Sequence, residues 1–189
     1  NRRILLQDPF LVRGIRPYIP GDPVRDIHWP ATARTEQTQL RVRDYTTSTK
    51  LLVILNGQYQ DMQWKQQRPE KLDEAYENAV ALAASLCVRC LRNGIPAGFA
   101  TNMAHEGGKD PILCPPMDGF QQEDSLLSHF ARLDTSGICL QIVPFLKNLE
   151  TYTGMDIMLL SFYDSESIQL TVERLRQCGN QVSFHLLEG

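Results

Sequence analysis

The chain has 189 residues, of which 42% are hydrophobic and 22% are charged, and these values are typical of a globular domain. No apolar run approaches the roughly 20 residues that span a bilayer, and the first residues show no signal-peptide pattern. A formal net charge of −3 without a long Lys/Arg run disfavours a general nucleic-acid binder, because phosphate contacts need clustered positive charge. The composition therefore predicts a compact, soluble domain.

Charge is distributed unevenly along the chain. Residues 1–50 hold nine Lys/Arg against five Asp/Glu, so this part carries +4 and the remainder carries −7. Five cysteines are an odd number without the spacing of a disulfide framework, which favours a reducing compartment such as the cytoplasm. Because the first residue is Asn1 rather than Met, we expect the chain to be part of a longer protein with upstream segments.

A lead segment, residues 1–35, is rich in Arg, Pro, Gly and Asp, a composition typical of turns. Within it, Asp22 followed by Pro23 is the pattern of a helix N-cap and a first-turn proline. Residues 23–28 are therefore expected to form one or two helical turns. We predict that the lead segment packs on a second domain, residues 36–189.

Alternating strands and helices are predicted for that second domain. Residues 40–43 alternate apolar and charged side chains like a half-buried strand, and Leu51–Leu55 is continuously apolar like a strand covered on both faces. A long amphipathic helix is predicted from Pro69 to a stop at Asn93-Gly94. The remaining predicted elements are a strand at 95–101, a Gly/Pro-rich loop at 103–119 with a short strand at 112–113, helices at 123–132 and 141–150, a strand at 156–162, a helix at 165–177 and a strand at 181–187. This alternation predicts an α/β fold, a doubly wound and mostly parallel sheet with helices on both faces.

The stretch from Gly14 to Arg34 packs Arg, Asp, Tyr, His and Trp into one turn-rich segment. It resembles the signature of the bacterial family known as domain of unknown function 58, in which Arg-x-Tyr, Gly-Asp, Arg, Ile-x-Trp and Ala-Arg follow in this order. The matching residues are Arg16, Tyr18, Gly21, Asp22, Arg25, Ile27, Trp29, Ala33 and Arg34. The resemblance implies a von Willebrand factor A-like fold and a MoxR-type AAA+ ATPase as partner. It also implies, frequently, two upstream membrane helices, which would place the domain at the inner face of the cell membrane.

Domains of the implied fold often bind Mg²⁺ through an Asp-x-Ser-x-Ser loop after the first central strand and an Asp at the end of a later strand. In this chain the run after Leu51–Leu55 is Asn-Gly-Gln-Tyr-Gln at 56–60. The later strand ends at Ser161-Phe162, and Asp164 lies further on. Neutral amides do not balance a divalent charge as carboxylates do. The sequence therefore predicts a degenerate metal-ion-dependent adhesion site, with no metal and no cofactor.

Two groups of residues are candidates for binding a protein partner. The lead-segment group consists of Arg16, Tyr18, Asp22, Arg25, Trp29 and Arg34. It is interpreted either as a structural clasp, with Trp29 buried, or as a docking surface, for which aromatic and Arg side chains are favoured. The second group follows the central strand, at the edge where α/β sheets usually bind ligands. It consists of Asn56, Gln58, Tyr59, Gln60 and Trp64.

Catalysis is the competing interpretation. His28 lies beside Trp29 and near Asp26 and resembles a general base with an orienting carboxylate, but no nucleophile pattern, phosphate-binding Gly loop or dinucleotide fingerprint accompanies it. Cys87 and Cys90 have redox spacing, yet they fall in the middle of the long helix, where core packing is expected. The sequence thus predicts a non-catalytic protein-protein interaction module. The alternative is a metal-dependent ligand-binding domain or a hydrolase that uses Asp22, His28 or Asp164.

Overall fold

The chain divides into two compact units, Asn1–Ser48 and Thr49–Gly189. The structure, a computed structural model, describes residues 12–19, 27–35, 37–43, 50–61, 69, 72–135 and 139–188, with the backbone alone for 12–16 and 40–43. No helix among these residues has both the length and the apolar character needed to cross a membrane.

The first unit is built on a two-stranded antiparallel sheet. Strand β1 (Val12–Pro17) pairs with β2 (Gln39–Arg43), and a bulge near the start of β1 shifts the register. A single helical turn, α1 (Trp29–Thr32), lies between them in the chain. The backbone N–H of His28 donates to the Gln39 carbonyl at 2.7 Å, and the Gln39 N–H donates to Thr32 Oγ1 at 2.9 Å. These bonds hold the helical turn against β2.

The lead-segment predictions are corrected in three respects. Strand β1 was not predicted, because residues 12–17 lack an alternating pattern. Residues 27 and 28 are not helical, and the helical turn α1 begins at Trp29, whereas residues 20–26, with the expected Asp22 cap and most of the predicted turn, lie outside the described residues. The cap of α1 is His28, whose Nδ1 accepts from the Ala31 N–H at 2.9 Å. The expected burial of Trp29 is wrong, since its side chain is 66% exposed.

The second unit contains a five-stranded sheet in the order β5-β4-β3-β6-β7. Strand β3 (Leu51–Leu55) lies at the centre, parallel to both β4 (Ala97–Thr101) and β6 (Asp156–Ser161). Strand β7 (Gln181–Leu186) extends the parallel pairing beyond β6, whereas β5 (Ile112–Met117) pairs antiparallel with β4. The predicted α/β class, a doubly wound and mostly parallel sheet, is confirmed.

Helices cover both faces of this sheet, as its central strand requires. Strand β3 has no polar residue, and its alternate side chains enter two separate cores. One core packs under α2 (Asp73–Arg92) and α3 (Phe120–Ala131), and the other packs under α4 (Ile142–Asn148) and α5 (Glu166–Gln177). A 3₁₀ turn, Leu149–Thr151, continues α4. A strand that is buried on both sides has a continuously apolar sequence because neither of its faces contacts water.

Most predicted elements of the second unit are confirmed within a few residues, but β5 is longer than expected. The Gly/Pro-rich stretch was predicted to hold only a short strand at 112–113, and it forms the six-residue β5. Pro115 and Pro116 are tolerated because β5 is an edge strand, whose outer side needs no N–H donors. Gly98 on β4 allows the close approach, since a Cβ there would lie 2.5 Å from the Cys114 carbonyl oxygen.

The long helix α2 ends in the predicted way. The Gly94 N–H donates to the Leu91 carbonyl at 2.9 Å and the Ile95 N–H donates to the Cys90 carbonyl at 2.9 Å, while Gly94 adopts φ 75°. This is a Schellman motif, and glycine suits the left-handed position at no steric cost. Cys87 and Cys90 are buried core residues. Burial, reinforced by neighbouring cysteines, raises the pKa of Cys87 to about 12, so this thiol is unreactive near neutral pH.

Asp156→Asn is expected to stabilise the protein at neutral pH. Asp156 begins β6, and burial raises the pKa of its carboxyl group above the value in the unfolded chain. A raised pKa means that the folded state disfavours the ionised form. The contribution of the Asp156 carboxyl group to the free energy of unfolding is therefore present at acidic pH and lost as the pH rises through the folded pKa. Urea unfolding should show the variant more stable than the parent at neutral pH, with the difference vanishing below the unfolded pKa of about 4.

The exposed Asp118 supplies the matched control for this measurement. Asp118→Asn removes the same charge at the surface, where single substitutions usually change stability by less than about 0.5 kcal/mol. A destabilised Asp156→Asn protein at neutral pH would contradict the prediction.

Candidate functional site

The candidate site lies at the carboxyl ends of β3, β4 and β6. The chain passes from β3 to β4 on one side of the sheet and later returns to place β6 on the other side of β3. This reversal creates a switch point between β3 and β6, the place where open α/β sheets usually bind ligands. In this protein the switch point is filled by buried polar side chains.

The Asn56 side chain joins the ends of three strands. Its Nδ2 donates at 3.0 Å to Oγ of Ser161, the last residue of β6, and its Oδ1 accepts from the Gln58 backbone N–H at 3.0 Å. The same Oδ1 accepts from Asn102 Nδ2 at 3.3 Å, and Asn102 Oδ1 in turn accepts from the Gly57 N–H at 2.7 Å. Asn56 and Asn102 are both at most 1% exposed. We call these residues, with Gln58 and Ser161, the amide network.

The amide network also holds the neighbouring loops and a helix. Gln58 Oε1 accepts from the Ile142 N–H at 2.6 Å, which caps the first turn of α4, where the N-cap residue Gln141 makes no side-chain capping bond. Asn102 Nδ2 donates to the Leu140 carbonyl at 2.5 Å. The phenol of Tyr76 on α2 donates to the Gly57 carbonyl at 2.8 Å. Elements from both faces of the sheet therefore meet at this network.

Gly57 is required by the packing around the network. A Cβ at this position would lie 2.2 Å from Cγ of Met103 and 3.2 Å from Cβ of Cys139. Any larger residue would therefore push the Met103 side chain away from the chain that follows β3. The sequence pattern alone gave no indication of this close approach.

The amide network consists of neutral side chains whose hydrogen bonds hold the surrounding structure together. Each amide oxygen and nitrogen of Asn56 and Asn102 has a hydrogen-bond partner, so none of these atoms points to an external ligand. Hard cations prefer several charged oxygen ligands, and these side chains offer none. Among the described residues no group of three or more His, Cys, Asp or Glu side chains could hold a metal ion.

The surface above the network is partly aromatic and apolar. Tyr59 packs partly against the core under α2, and Leu140 is 48% exposed. Tyr163 lies half-buried beside Asn56, and burial raises the pKa of its phenol to about 12, although a hydrogen bond with Asn56 acts in the opposite direction. A cavity of about 200 Å³ adjoins Leu140. Its lining residues are Pro111, Leu140, Gln141, Pro144, Phe145 and Asn148.

A loop beside the network is tied to the end of α3. His105 and Leu133 form an isolated antiparallel bridge, and His105 Nε2 lies 3.0 Å from His129 Nδ1. The two rings are stacked, with an interplanar angle of 13° and centroids 5.0 Å apart. Burial, together with His105 and Arg132, lowers the pKa of His129. The lowered pKa favours the neutral imidazole of His129, which shares a hydrogen bond with His105.

The structure brings together some of the predicted site residues and separates others. Asn56 and Gln58 lie in the network, Tyr59 lies at its rim, and Gln60 is exposed. Trp64, Asp22 and Arg25 lie outside the described residues, and so does the side chain of Arg16. In the first unit Tyr18 is half-buried, while Trp29 and Arg34 are exposed. Whether this group binds a partner stays a prediction.

Of the residues offered for the alternative function, Asp22 lies outside the described residues, and His28 and Asp164 each make a hydrogen bond within their own unit. His28 Nδ1 is occupied by the Ala31 N–H as a helix cap. Asp164 is exposed and Oδ1 accepts from Gln169 Nε2 at 2.8 Å. Asn102, Tyr76 and Leu140 were missed by sequence reasoning. A polar Thr-Asn pair directly after a buried strand was the available signal for Asn102.

Comparisons with known proteins place the chain in a family. A family model described as "Protein of unknown function DUF58" matches residues 14–148. The chain belongs to the DUF58 family. The match begins in β1 and reaches the end of α4, so it includes parts of both units. The family resemblance predicted from the segment between Gly14 and Arg34 is therefore confirmed.

The chain is also similar to two other proteins. "Uncharacterized protein YeaD" of Bacillus subtilis (strain 168) is 26% identical over 117 residues, which cover 62% of this chain and 25% of YeaD. The chain thus spans about a quarter of the length of that relative. Among solved structures, the SpRpn10 VWA domain matches 75% of this chain and 90% of that domain, with 8% identity and a TM-score of 0.37. A similarity at this level says nothing about ligands or partners.

Gln58→Ala is expected to destabilise the fold. The substitution leaves the buried Ile142 N–H without its acceptor, and an unsatisfied buried donor costs about 1–3 kcal/mol. Chemical denaturation should show this loss, and amide hydrogen exchange should show faster opening at the start of α4. Gln60→Ala, at an exposed position two residues later, should change stability by less than about 0.5 kcal/mol. Equal effects of the two substitutions would mean that Gln58 does not cap α4.

Proposed function

We propose that this DUF58 domain is a non-catalytic protein-binding module that uses the carboxyl edge of its five-stranded sheet. The proposal rests on one observation: the buried polar side chains at the switch point are neutral and satisfy one another. In this position the fold usually presents groups that bind a ligand. Here the hydrogen-bonding capacity of the network is used to fix the loops, so its side chains offer a shaped surface and, among the described residues, no charged ligand or free polar group.

The rim of the edge supports binding to a protein rather than to a small molecule. Leu140 is half-exposed although its carbonyl is held by Asn102, so the side chain is presented by a fixed backbone. The adjoining cavity of about 200 Å³ has two prolines, Leu140 and Phe145 in its lining. Drug-sized ligands usually occupy larger, more enclosed pockets of about 300–1,000 Å³. A single apolar anchor of a protein partner fits the observed dimensions better.

The identity of the partner is a further part of the proposal. The resemblance of the segment between Gly14 and Arg34 to its family implies a MoxR-type AAA+ ATPase, and it implies a location at the inner face of the cell membrane. Residues 51–189 carry a net charge of −7, which favours a partner surface with positive charge. We propose that the domain works with such an ATPase in assembly or maturation at the membrane.

Asn56→Asp tests whether the edge is a degenerate metal site. Asn56 is 0% exposed, so a carboxylate at this position would be a buried, uncompensated charge that costs about 3 kcal/mol or more. Burial raises the pKa of the new carboxyl group, so the loss should be largest at neutral pH and should shrink as the pH falls. Because the surrounding ligands remain amides and a hydroxyl, saturating Mg²⁺ should not restore the lost stability.

The control for this experiment is Asn78→Asp on the exposed face of α2, which should be nearly neutral at every pH. Thermal unfolding with and without Mg²⁺ provides the measurement, since a ligand that binds only the folded state raises its stability. A Mg²⁺-dependent increase in the melting temperature of the parent protein would overturn the proposal and support the metal-dependent alternative.

Leu140→Ser tests the binding edge itself. We expect capture of a purified MoxR-type AAA+ ATPase to fall about tenfold or more, because loss of a buried apolar anchor costs roughly 1.5–3 kcal/mol. Leu127→Ser is the matched control, since Leu127 lies on α3 with a similar exposed fraction, 43% against 48%. Surface plasmon resonance with both variants measures the effect. An equal loss for both leucines, or no loss for Leu140, would remove this edge from the proposal.

A further inference from the structure

The chain contains two Asn-Gly dipeptides in opposite environments. Asn56-Gly57 follows the central strand β3 and is buried, whereas Asn93-Gly94 ends helix α2 and is exposed. Asn-Gly is chemically labile because glycine has no side chain to hinder attack by its backbone nitrogen on the preceding amide. We propose that Asn93 is a site of spontaneous deamidation and that the amide network protects Asn56 from the same reaction.

The reaction consumes one water and releases one ammonia. The backbone nitrogen of the glycine attacks Cγ of the asparagine, and the new N–C bond closes a five-membered succinimide. The Cγ–Nδ2 bond breaks, and Nδ2 leaves as ammonia with the proton from the backbone N–H. Water then opens either imide bond and gives aspartate or isoaspartate. The attack requires a glycine N–H that is released from its hydrogen bond and an asparagine side chain that is free to rotate.

At Asn56 the network blocks both requirements. The Gly57 N–H donates to Asn102 Oδ1 at 2.7 Å. The Asn56 amide is fixed from both ends, by Ser161 Oγ and by the Gln58 N–H. Releasing these bonds would open a buried site that contacts β3, β4 and β6. Openings of that kind have free energies close to that of global unfolding.

At Asn93 the same groups are held by a helix end. The Gly94 N–H donates to the Leu91 carbonyl at 2.9 Å, and Asn93 Nδ2 donates to the Arg89 carbonyl at 2.7 Å. These bonds lie at the surface, and fraying of the last helical turn breaks them at low cost. Both Asn93 and Gly94 are exposed, so water reaches the succinimide.

Conversion of Asn93 would change the end of α2. The new carboxylate cannot donate to the Arg89 carbonyl as Nδ2 does. It also places negative charge at the carboxyl end of a helix, where the helix dipole disfavours it. The last turn of α2 should therefore fray more readily in the modified protein. This inference goes beyond the proposed binding function and holds whether or not the edge binds a partner.

The test compares the two asparagines within one protein sample. After incubation of the whole chain in mildly alkaline buffer, peptide mapping by mass spectrometry measures aspartate and isoaspartate at each position. We expect Asn93 to convert ~100-fold faster than Asn56, because the rate follows the population of the opened state. In urea, where both segments are unfolded, the two rates should become comparable. Conversion of Asn56 in buffer as fast as Asn93 would overturn the proposal.

Asn102→Ala tests the protecting contact directly. The substitution removes the acceptor of the Gly57 N–H, so Asn56 should convert faster while Asn93 keeps its rate. Asn148→Ala, at an exposed position on α4, is the matched control and should change neither rate. An unchanged rate at Asn56 in a folded Asn102→Ala protein would contradict the assigned role of the network. If circular dichroism shows that Asn102→Ala is unfolded, the comparison of the parent protein in buffer and urea decides the question.

Discussion

The hydrogen bonds of the Asn56 side chain are the constraint on which the second unit depends. One buried amide links the end of β3 to Ser161 at the end of β6 and to Asn102 after β4. Hydrogen bonds in such a dry environment are strong when complete and costly when broken. These hydrogen bonds therefore fix the loops after the three strands to one another. Gln58 connects the same loops to the first turn of α4 by accepting from the Ile142 N–H.

The two cores of the sheet make this arrangement stable. The apolar strand β3 gives alternate side chains to the core under α2 and to the core under α4 and α5. Both faces of the apolar β3 are covered, and the polar side chains of the amide network lie just after its carboxyl end. A charged residue there would be isolated from water, whereas a paired amide is neutral and can satisfy its partners. The neutral amides at this position thus agree with a site that is closed to solvent.

The same closure explains why the edge is proposed as a contact surface. A binding site for a cation must leave charged oxygen atoms accessible, and the network instead directs its atoms inward. What remains outside is Leu140, a rim of Tyr59 and Tyr163, and an adjoining apolar cavity. Such surfaces bind through shape and apolar area, and their specificity comes from charge around them. The acidic character of residues 51–189 provides that charge.

The motif between Gly14 and Arg34 was enough to predict the family. The α/β class and most element positions of the second unit were predictable because hydrophobic period and helix stops are local signals, and the sequence also showed that amides follow β3. The participation of Asn102, Tyr76 and Leu140 in that site became visible in the fold, since their hydrogen-bond partners are distant in the chain. Strands β1 and β5 were missed or shortened because pairing at a sheet edge tolerates residues with weak strand preference. Contacts between distant residues leave no periodic pattern, and for that reason the site had to be read from the fold.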